Sequence, residues 1–341
     1  MKVKGFDYDL PAGLIAQDPV EPRDASRLMV LDRNGTRLDH CCFRDLPAYL
    51  RSGDLLVLNH TRVRPARLHG YRADTGGKIE VVLLRHLGGD RWEVLVRPGK
   101  RAVVGASIIF AREKLTAKVL ARTATGGRLL EFFYQGDFNA LLNEIGQVPL
   151  PPYIKKPLGD PERYQVIYGR HEGSVAAPTA GLHFTPELMA RLSAQGICFA
   201  YVLLHIGLGT FRPVRTTEVE NHQMHAEYFE IAETTAHLIN QTKQKGGRVV
   251  AVGTTVVRVL ETVANTSGSV LPGSGWTDIF LYPGYRFRTI DALITNFHLP
   301  CSTLLMLVSA FAGRERVLAA YHEAVREKYR FYSFGDAMLI I

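Results

Sequence analysis

Apolar and polar positions fall into two textures along this chain. Beyond about residue 145, apolar runs alternate with periodic stretches that carry one polar face. Thr185-Pro186-Glu187 predicts a helix start, with Thr at the N-cap and Pro in the first helical position, and Gly196 predicts its end. A buried strand is expected over 197–204, then a helix over 232–245 stopped by Gly246-Gly247. A strand over 248–252, a helix over 254–264, strands at 278–282 and 292–296, and helices over 303–312 and 315–329 follow. The runs 28–31 and 55–58 have the same buried character. This alternation predicts a largely parallel sheet or barrel with helices outside.

The texture differs between 63 and 143. Short strands are expected at 78–84, 92–96, 107–110, 115–120 and 129–134, punctuated by Gly76-Gly77, Gly88-Gly89 and Gly126-Gly127. Such spacing predicts a small antiparallel barrel. The expected division is therefore an α/β domain from 1–62 and 144–341, interrupted by a β domain over 63–143.

Charge sharpens this division. The segment 63–143 holds 14 basic and 7 acidic residues, so it carries +7 of the net +8. Its cations are mostly Arg, which forks onto phosphates and stacks on bases. A solvated surface would also look like this, but the excess suits a polyanion such as RNA. An apolar content of 46% excludes a disordered chain. The longest apolar run, near 304–312, is shorter than the ~18–20 residues of a membrane helix. Residues 1–16 lack an apolar signal core and include Asp7 and Asp9, so a cytoplasmic address is expected. Cys41, Cys42, Cys198 and Cys301 form no Cys-x-x-Cys pair.

Familiar nucleotide and hydrolase signatures are missing: there is no P-loop and no Gly-x-Ser-x-Gly elbow. Gly207 and Gly209 follow a strand without the third glycine of a dinucleotide fingerprint. His222, His225 and Glu227 lack zincin spacing, and no metal is expected. Polar groups instead collect after three predicted strands. These corners are His205 to Phe211, with Gly207, Gly209 and Thr210; Gly253-Thr254-Thr255; and Asn296 to Pro300, with His298. Ligands of parallel α/β folds gather at carboxyl strand ends, and a helix starting at Thr254 offers free N–H groups to an anion. One such corner reads as a turn or cap; three together read as a site. The loop 176–185 adds Thr179, Gly181 and His183, as a ligand loop or as a plain connector.

These segments together resemble the S-adenosylmethionine:tRNA ribosyltransferase-isomerase family of queuosine biosynthesis. The likeness runs nearly end to end. It includes Phe6-Asp7-Tyr8-Asp9-Leu10-Pro11, Val148-Pro149-Leu150-Pro151-Pro152-Tyr153, Gly173 to Thr185, and His205-Ile206-Gly207-Leu208-Gly209-Thr210-Phe211. Gly253-Thr254-Thr255-x-x-Arg258, Thr277-Asp278-Ile279-Phe280 and Thr295-Asn296-Phe297-His298-Leu299-Pro300 continue it. His60 and Gly169 depart from the family's more usual residues.

The resemblance implies a distorted α/β barrel interrupted by a small antiparallel β-barrel. It also implies transfer and isomerisation of the ribosyl part of S-adenosylmethionine onto 7-aminomethyl-7-deazaguanine at the tRNA wobble position. Adenine and methionine leave, and epoxyqueuosine results. S-adenosylmethionine is then a co-substrate, no cofactor is permanently bound, and a monomer is expected. In that scheme the sulfonium acidifies the C5′ hydrogens, so a base can start the reaction. His183, His205 and His298 are the acid–base candidates, and Asp278 and Glu227 could stabilise the sulfonium or orient a histidine. Thr179, Gly181, Gly207, Gly209, Thr210, Gly253, Thr254, Thr255 and Asn296 are the substrate-binding candidates, and Arg97, Lys100 and Arg101 those for tRNA. Two rivals are an S-adenosylmethionine-dependent RNA methyltransferase and a non-catalytic RNA-binding module.

Overall fold

Leu55-Leu56-Val57-Leu58 are fully buried, because the strand they form is covered on both faces. Leu55 and Val57 join one apolar cluster and Leu56 and Leu58 another. This is the alternation of a pleated strand between two helical layers. The computed structural model describes residues 1–111, 114–123, 126–207, 214 and 216–341. Within them the chain forms two units, Met1–Arg62 with Pro152–Ile341, and Val63–Pro151.

Strands β1 (Arg27–Leu31), β2 (Leu38–Cys42) and β3 (Leu55–Asn59) come first, and the short β4 (Thr61–Val63) stands at the junction of the units. The second unit holds β5 (Arg67–Arg72), β6 (Lys78–His86), β7 (Arg91–Arg97), β8 (Ser107–Phe110), β9 (Leu115–Arg122), β10 (Arg128–Tyr134) and helix α1 (Phe138–Ile145). After it come β11 (His171–Ser174), α2 (Pro186–Ala194), β12 (Cys198–Leu204), β13 (Glu227–Ile231), α3 (Glu233–Gln244) and β14 (Val249–Val252). The chain ends with α4 (Thr254–Val263), β15 (Gly273–Thr277), β16 (Ala292–Asn296), α5 (Thr303–Ala312), α6 (Arg314–Arg326) and β17 (Ala337–Ile340).

The first unit is built on a nine-stranded sheet in the order β15-β13-β12-β3-β14-β16-β17-β1-β2. Its middle run, β12-β3-β14-β16, is parallel throughout. The sheet as a whole is mixed rather than largely parallel, because β15, β13, β17 and β2 each pair antiparallel with a neighbour. Residues of α4, α5 and α6 bury against one face, and residues of α2 with Phe43 and Leu46 against the other. The strand expected at 278–282 is absent; β15 ends at Thr277. Ile279, Phe280 and Tyr282 are apolar because they pack against the core, not because they join a ladder.

The second unit is a closed antiparallel barrel, β10-β7-β6-β5-β8-β9, filled by residues such as Val81, Val94, Ile108, Val119 and Phe132. An α/β fold interrupted by a small antiparallel barrel is thus present. Strand β5 went unforeseen because its outward positions are polar and Gly70 interrupts it. A Cβ at Gly70 would lie 2.6 Å from the Ile109 carbonyl oxygen, so the close approach of β8 requires glycine. The unit continues past 143 to Pro151. Arg67 and Gln147 exchange backbone hydrogen bonds of 3.0 and 2.8 Å, and α1 buries Leu142 in the barrel core.

At the end of the large sheet where β3 and β14 begin, the wholly buried Asp54 accepts hydrogen bonds from the Arg51 N–H (2.9 Å) and Arg248 Nη2 (2.6 Å). Burial alone would raise its pKa, but these bonds outweigh burial and hold it below the ordinary carboxylate range. A depressed folded-state pKa adds stability that is present above the unfolded value and lost as pH falls through the folded one. Asp54→Ala should therefore lower unfolding free energy by about 3 kcal/mol near neutral pH, as breaking a buried pair does. Part of the wild type's acid sensitivity should vanish with it. Urea unfolding across the acid range checks both.

Candidate active site

The carboxyl ends of β12, β3, β14 and β16 lie along one edge of the sheet, where ligand crevices form in parallel α/β folds. A pocket open to solvent lies there. Its walls come from Ala176 to Ala180, Ile206, Glu227, Gly253 to Thr255, Arg258, Thr295 to Leu299, Tyr332 and Ser333.

Local sequence sets each wall. Gly253 has φ 95°, a conformation open to glycine, and its N–H donates to the Ile294 carbonyl at 2.8 Å. The turn delivers the start of α4 into the pocket without a side-chain cap. The first N–H groups of a helix have no intrahelical partner and sit at the positive end of its dipole. Beside it, Asn59 donates to the Thr255 hydroxyl at 3.2 Å and to the Leu204 carbonyl at 3.0 Å, joining β3, β12 and α4. At the end of β16, Asn296 is buried, and its Nδ2 donates to the Tyr332 carbonyl at 2.9 Å.

Glu227 and Arg258 form an ion pair in which both side chains are 5% exposed. The other Glu227 oxygen accepts the Gly207 N–H at 2.8 Å. Arg258 also donates to the carbonyls of Thr277 (3.1 Å) and Ile279 (3.3 Å). Pairing of this quality is what permits a carboxylate in a buried wall.

The three candidate histidines separate. His298 lines the pocket, its Nε2 paired with the Thr295 hydroxyl at 2.8 Å, and burial pushes its pKa down to about 3. His183 lines a neighbouring cavity with Arg23, Ser26 and Ser333. It stacks on Phe43 with ring centroids 4.9 Å apart, and burial lowers its pKa to about 4, partly offset by the Asn296 amide beside it. His205 does not line the pocket: its Nδ1 pairs with the Thr61 hydroxyl at 2.8 Å.

Of the binding candidates, Thr179, Gly253, Thr254, Thr255 and Asn296 line the pocket. Gly181 and Gly207 do not. Gly181 serves packing, since a Cβ there would lie 2.1 Å from the Tyr168 hydroxyl; Gly207 holds Glu227 through its N–H. Asp278 is exposed and does not line the pocket. Gly209 and Thr210 lie outside the described residues. On the barrel, Arg97 and Arg101 line one groove with Tyr71 and Lys78, and Lys100 is exposed in the adjoining turn. Arg258, Thr295, Tyr332 and Ser333 were not foreseen as site residues. For Arg258 a signal existed: on a helix starting at Thr254 it lies one turn on, on the same face.

Among the described residues, no group of three or more His, Cys, Asp or Glu could hold a metal ion, and no helix is long and apolar enough to cross a membrane.

A pocket at the carboxyl edge of parallel strands, with an uncapped helix start in its wall, is the place where α/β folds hold small-molecule ligands. Residues 3–340 match the model of the queuosine biosynthesis protein family, and the chain belongs to that family. It is 63% identical over its full length, and that of the relative, to the S-adenosylmethionine:tRNA ribosyltransferase-isomerase of Moorella thermoacetica. It is 58% identical to the one of Acetivibrio thermocellus, again over 100% of both chains. A crystal structure of the S-adenosylmethionine tRNA ribosyltransferase from Thermotoga maritima is 43% identical, with 99% of this chain and 100% of that one covered and a TM-score of 0.58. The chain is accordingly an enzyme of the transferase–isomerase class.

The buried histidines set a pH dependence. His183 and His298 have folded-state pKa values near 4 and 3, below the unfolded value of ~6.5. The unfolded chain thus binds more protons below about pH 6.5, so stability is flat above that value and falls as pH drops through the window. His298→Asn and His183→Asn should each flatten the decline between pH 6.5 and 4.5, read from unfolding midpoints at several pH values.

Proposed function

We propose that this chain transfers and isomerises the ribosyl moiety of S-adenosylmethionine onto 7-aminomethyl-7-deazaguanine at the wobble position of tRNA. Epoxyqueuosine-tRNA forms, and adenine and methionine are released. The observation that carries this reading is the pocket itself: in a chain of this family, the start of α4, Asn296 and His298 converge in one cavity. The sulfonium of the substrate acidifies the neighbouring C5′ hydrogens. A base takes one of them, adenine departs, the amine of the deazaguanine attacks the unsaturated sugar, and epoxide closure expels methionine.

His298 is the acid–base candidate best supported, because it alone of the three candidate histidines lines the pocket. With Nε2 engaged by Thr295, Nδ1 is the ring nitrogen left to meet substrate. A neutral imidazole also spares a cationic substrate the repulsion of an imidazolium. Glu227 contributes a carboxylate whose charge Arg258 balances, so its role is to position Gly207 and the wall. The barrel face with Arg97, Lys100 and Arg101 supplies the tRNA contact, consistent with its charge excess. A cytoplasmic site of action and a monomer belong to the same reading.

Incubation with S-adenosylmethionine and tRNA bearing the deazaguanine base should release adenine and methionine together. Accumulation of S-adenosylhomocysteine would point to a methyltransferase instead. His298→Ala should lower turnover by about 10²–10⁴-fold with little change in tRNA affinity.

The electrostatic arm is separate. Neutralising Arg97, Lys100 and Arg101 together should weaken tRNA binding and shallow its salt dependence, while S-adenosylmethionine affinity stays unchanged. Binding curves at several salt concentrations measure both, and an unaltered slope places the contact elsewhere.

A further inference from the structure

Phe6, Asp7 and Tyr8 are remote from the pocket in sequence, yet all three grip the loop that carries His298. The backbone is extended at Asp7, so Phe6 and Tyr8 turn inward and are buried while Asp7 stays exposed. The Phe6 carbonyl accepts the Cys301 N–H at 2.9 Å. The Tyr8 hydroxyl donates to the His298 carbonyl at 2.5 Å. Burial, and the Asp7 carboxylate that accepts its hydrogen, hold the Cys301 thiol above its ordinary range.

This loop needs holding. Cys301 has φ 55°, in the left-handed region that a residue with a Cβ rarely adopts. Such backbone persists only where its surroundings over-determine it, and it gathers at functional sites. His298, Leu299 and Ser302, on either side of Cys301, line the pocket.

A second tyrosine holds His298 from helix α6. The His298 N–H donates to the Tyr321 hydroxyl at 3.0 Å. Both backbone groups of His298 thus end on tyrosine hydroxyls, and the two phenol rings meet edge to face with centroids 5.2 Å apart. Burial raises the pKa of both phenols, so Tyr8 keeps the hydrogen it donates. With the backbone fixed at both groups and Nε2 on Thr295, the direction of the imidazole is set before any ligand arrives. A misplacement of about 1 Å at a reacting group can cost ~10²-fold in rate.

We propose that Tyr8 and Tyr321 are positioning residues for His298, two hydroxyls clasping one peptide backbone so that its imidazole faces the pocket, with Phe6 locking the turn behind it. This rests on the reading of His298 as the acid–base group. It gives the Phe6–Tyr8 segment a part in the reaction although neither tyrosine lines the pocket.

A double-mutant cycle tests it. Tyr8→Phe and Tyr321→Phe keep each ring and remove the hydroxyl. Each should lower kcat about 10–100-fold, with KM for S-adenosylmethionine within about twofold of the wild type. In the His298→Ala background neither should cost anything further, because residues that act as a unit are not additive. Undiminished kcat in either variant, or the same fold loss with and without His298, overturns the inference and leaves the reading of His298 standing. Undiminished turnover in His298→Ala overturns that reading and the inference with it. Should one tyrosine variant not fold, the other carries the cycle.

Discussion

The Glu227–Arg258 pair is the contact on which the pocket's geometry depends. It ties β13, near one edge of the sheet, to the first turns of α4, and the start of α4 lines the pocket. Two ions held out of water are tolerable only when both are saturated with hydrogen bonds, and here backbone groups of Gly207, Thr277 and Ile279 complete the set. Because each member is costly alone, the pair fixes one arrangement of strand, helix and loop. It also leaves the wall electrically balanced, so the field in the cavity comes largely from the helix start.

That balance suits the sulfonium cation of the proposed substrate. The buried histidines are neutral at physiological pH, since both His183 and His298 are pushed far below the ordinary imidazole range by burial. Tyr153, which also lines the pocket and pairs with Ser333 at 2.7 Å, has its pKa raised to about 12, again by burial. His298 and Tyr153 therefore line the pocket as dipoles and not as charges, an arrangement that costs little reorganisation when charge moves nearby.

Much of this was legible in the sequence because the parallel strands are all-apolar runs and the groups that follow them are polar. Thr254, Thr255, Asn296 and His298 were found by that logic. His205 met the same criterion yet turns away, toward Thr61, while the next residue, Ile206, faces the pocket. Successive side chains in extended backbone point to opposite sides, and a strand's last residue does not reveal which side will be occupied. Tyr332 and Ser333 were illegible for another reason. They precede β17, four apolar residues too short to stand out, so nothing marked that stretch as returning to the site. Gly181 shows the converse: a glycine in a suggestive loop is there to admit the Tyr168 hydroxyl, not a ligand.

The order of strands in the large sheet differs sharply from their order along the chain. β3 lies between β12 and β14, and β17, last in sequence, lies between β16 and β1. On the ribosome the barrel, encoded by one uninterrupted stretch, can close as soon as Pro151 has emerged. The larger sheet must wait for β17, holding β1 and β3 unpaired with their eventual parallel neighbours in the meantime. Early strands left open in this way are exposed to wrong partners during synthesis. A chain clipped just before Ala337 would lose an interior strand rather than a fringe. The stretch Ala337–Ile340 is therefore structurally integral, and a cut there parts β16 from β1 inside the sheet.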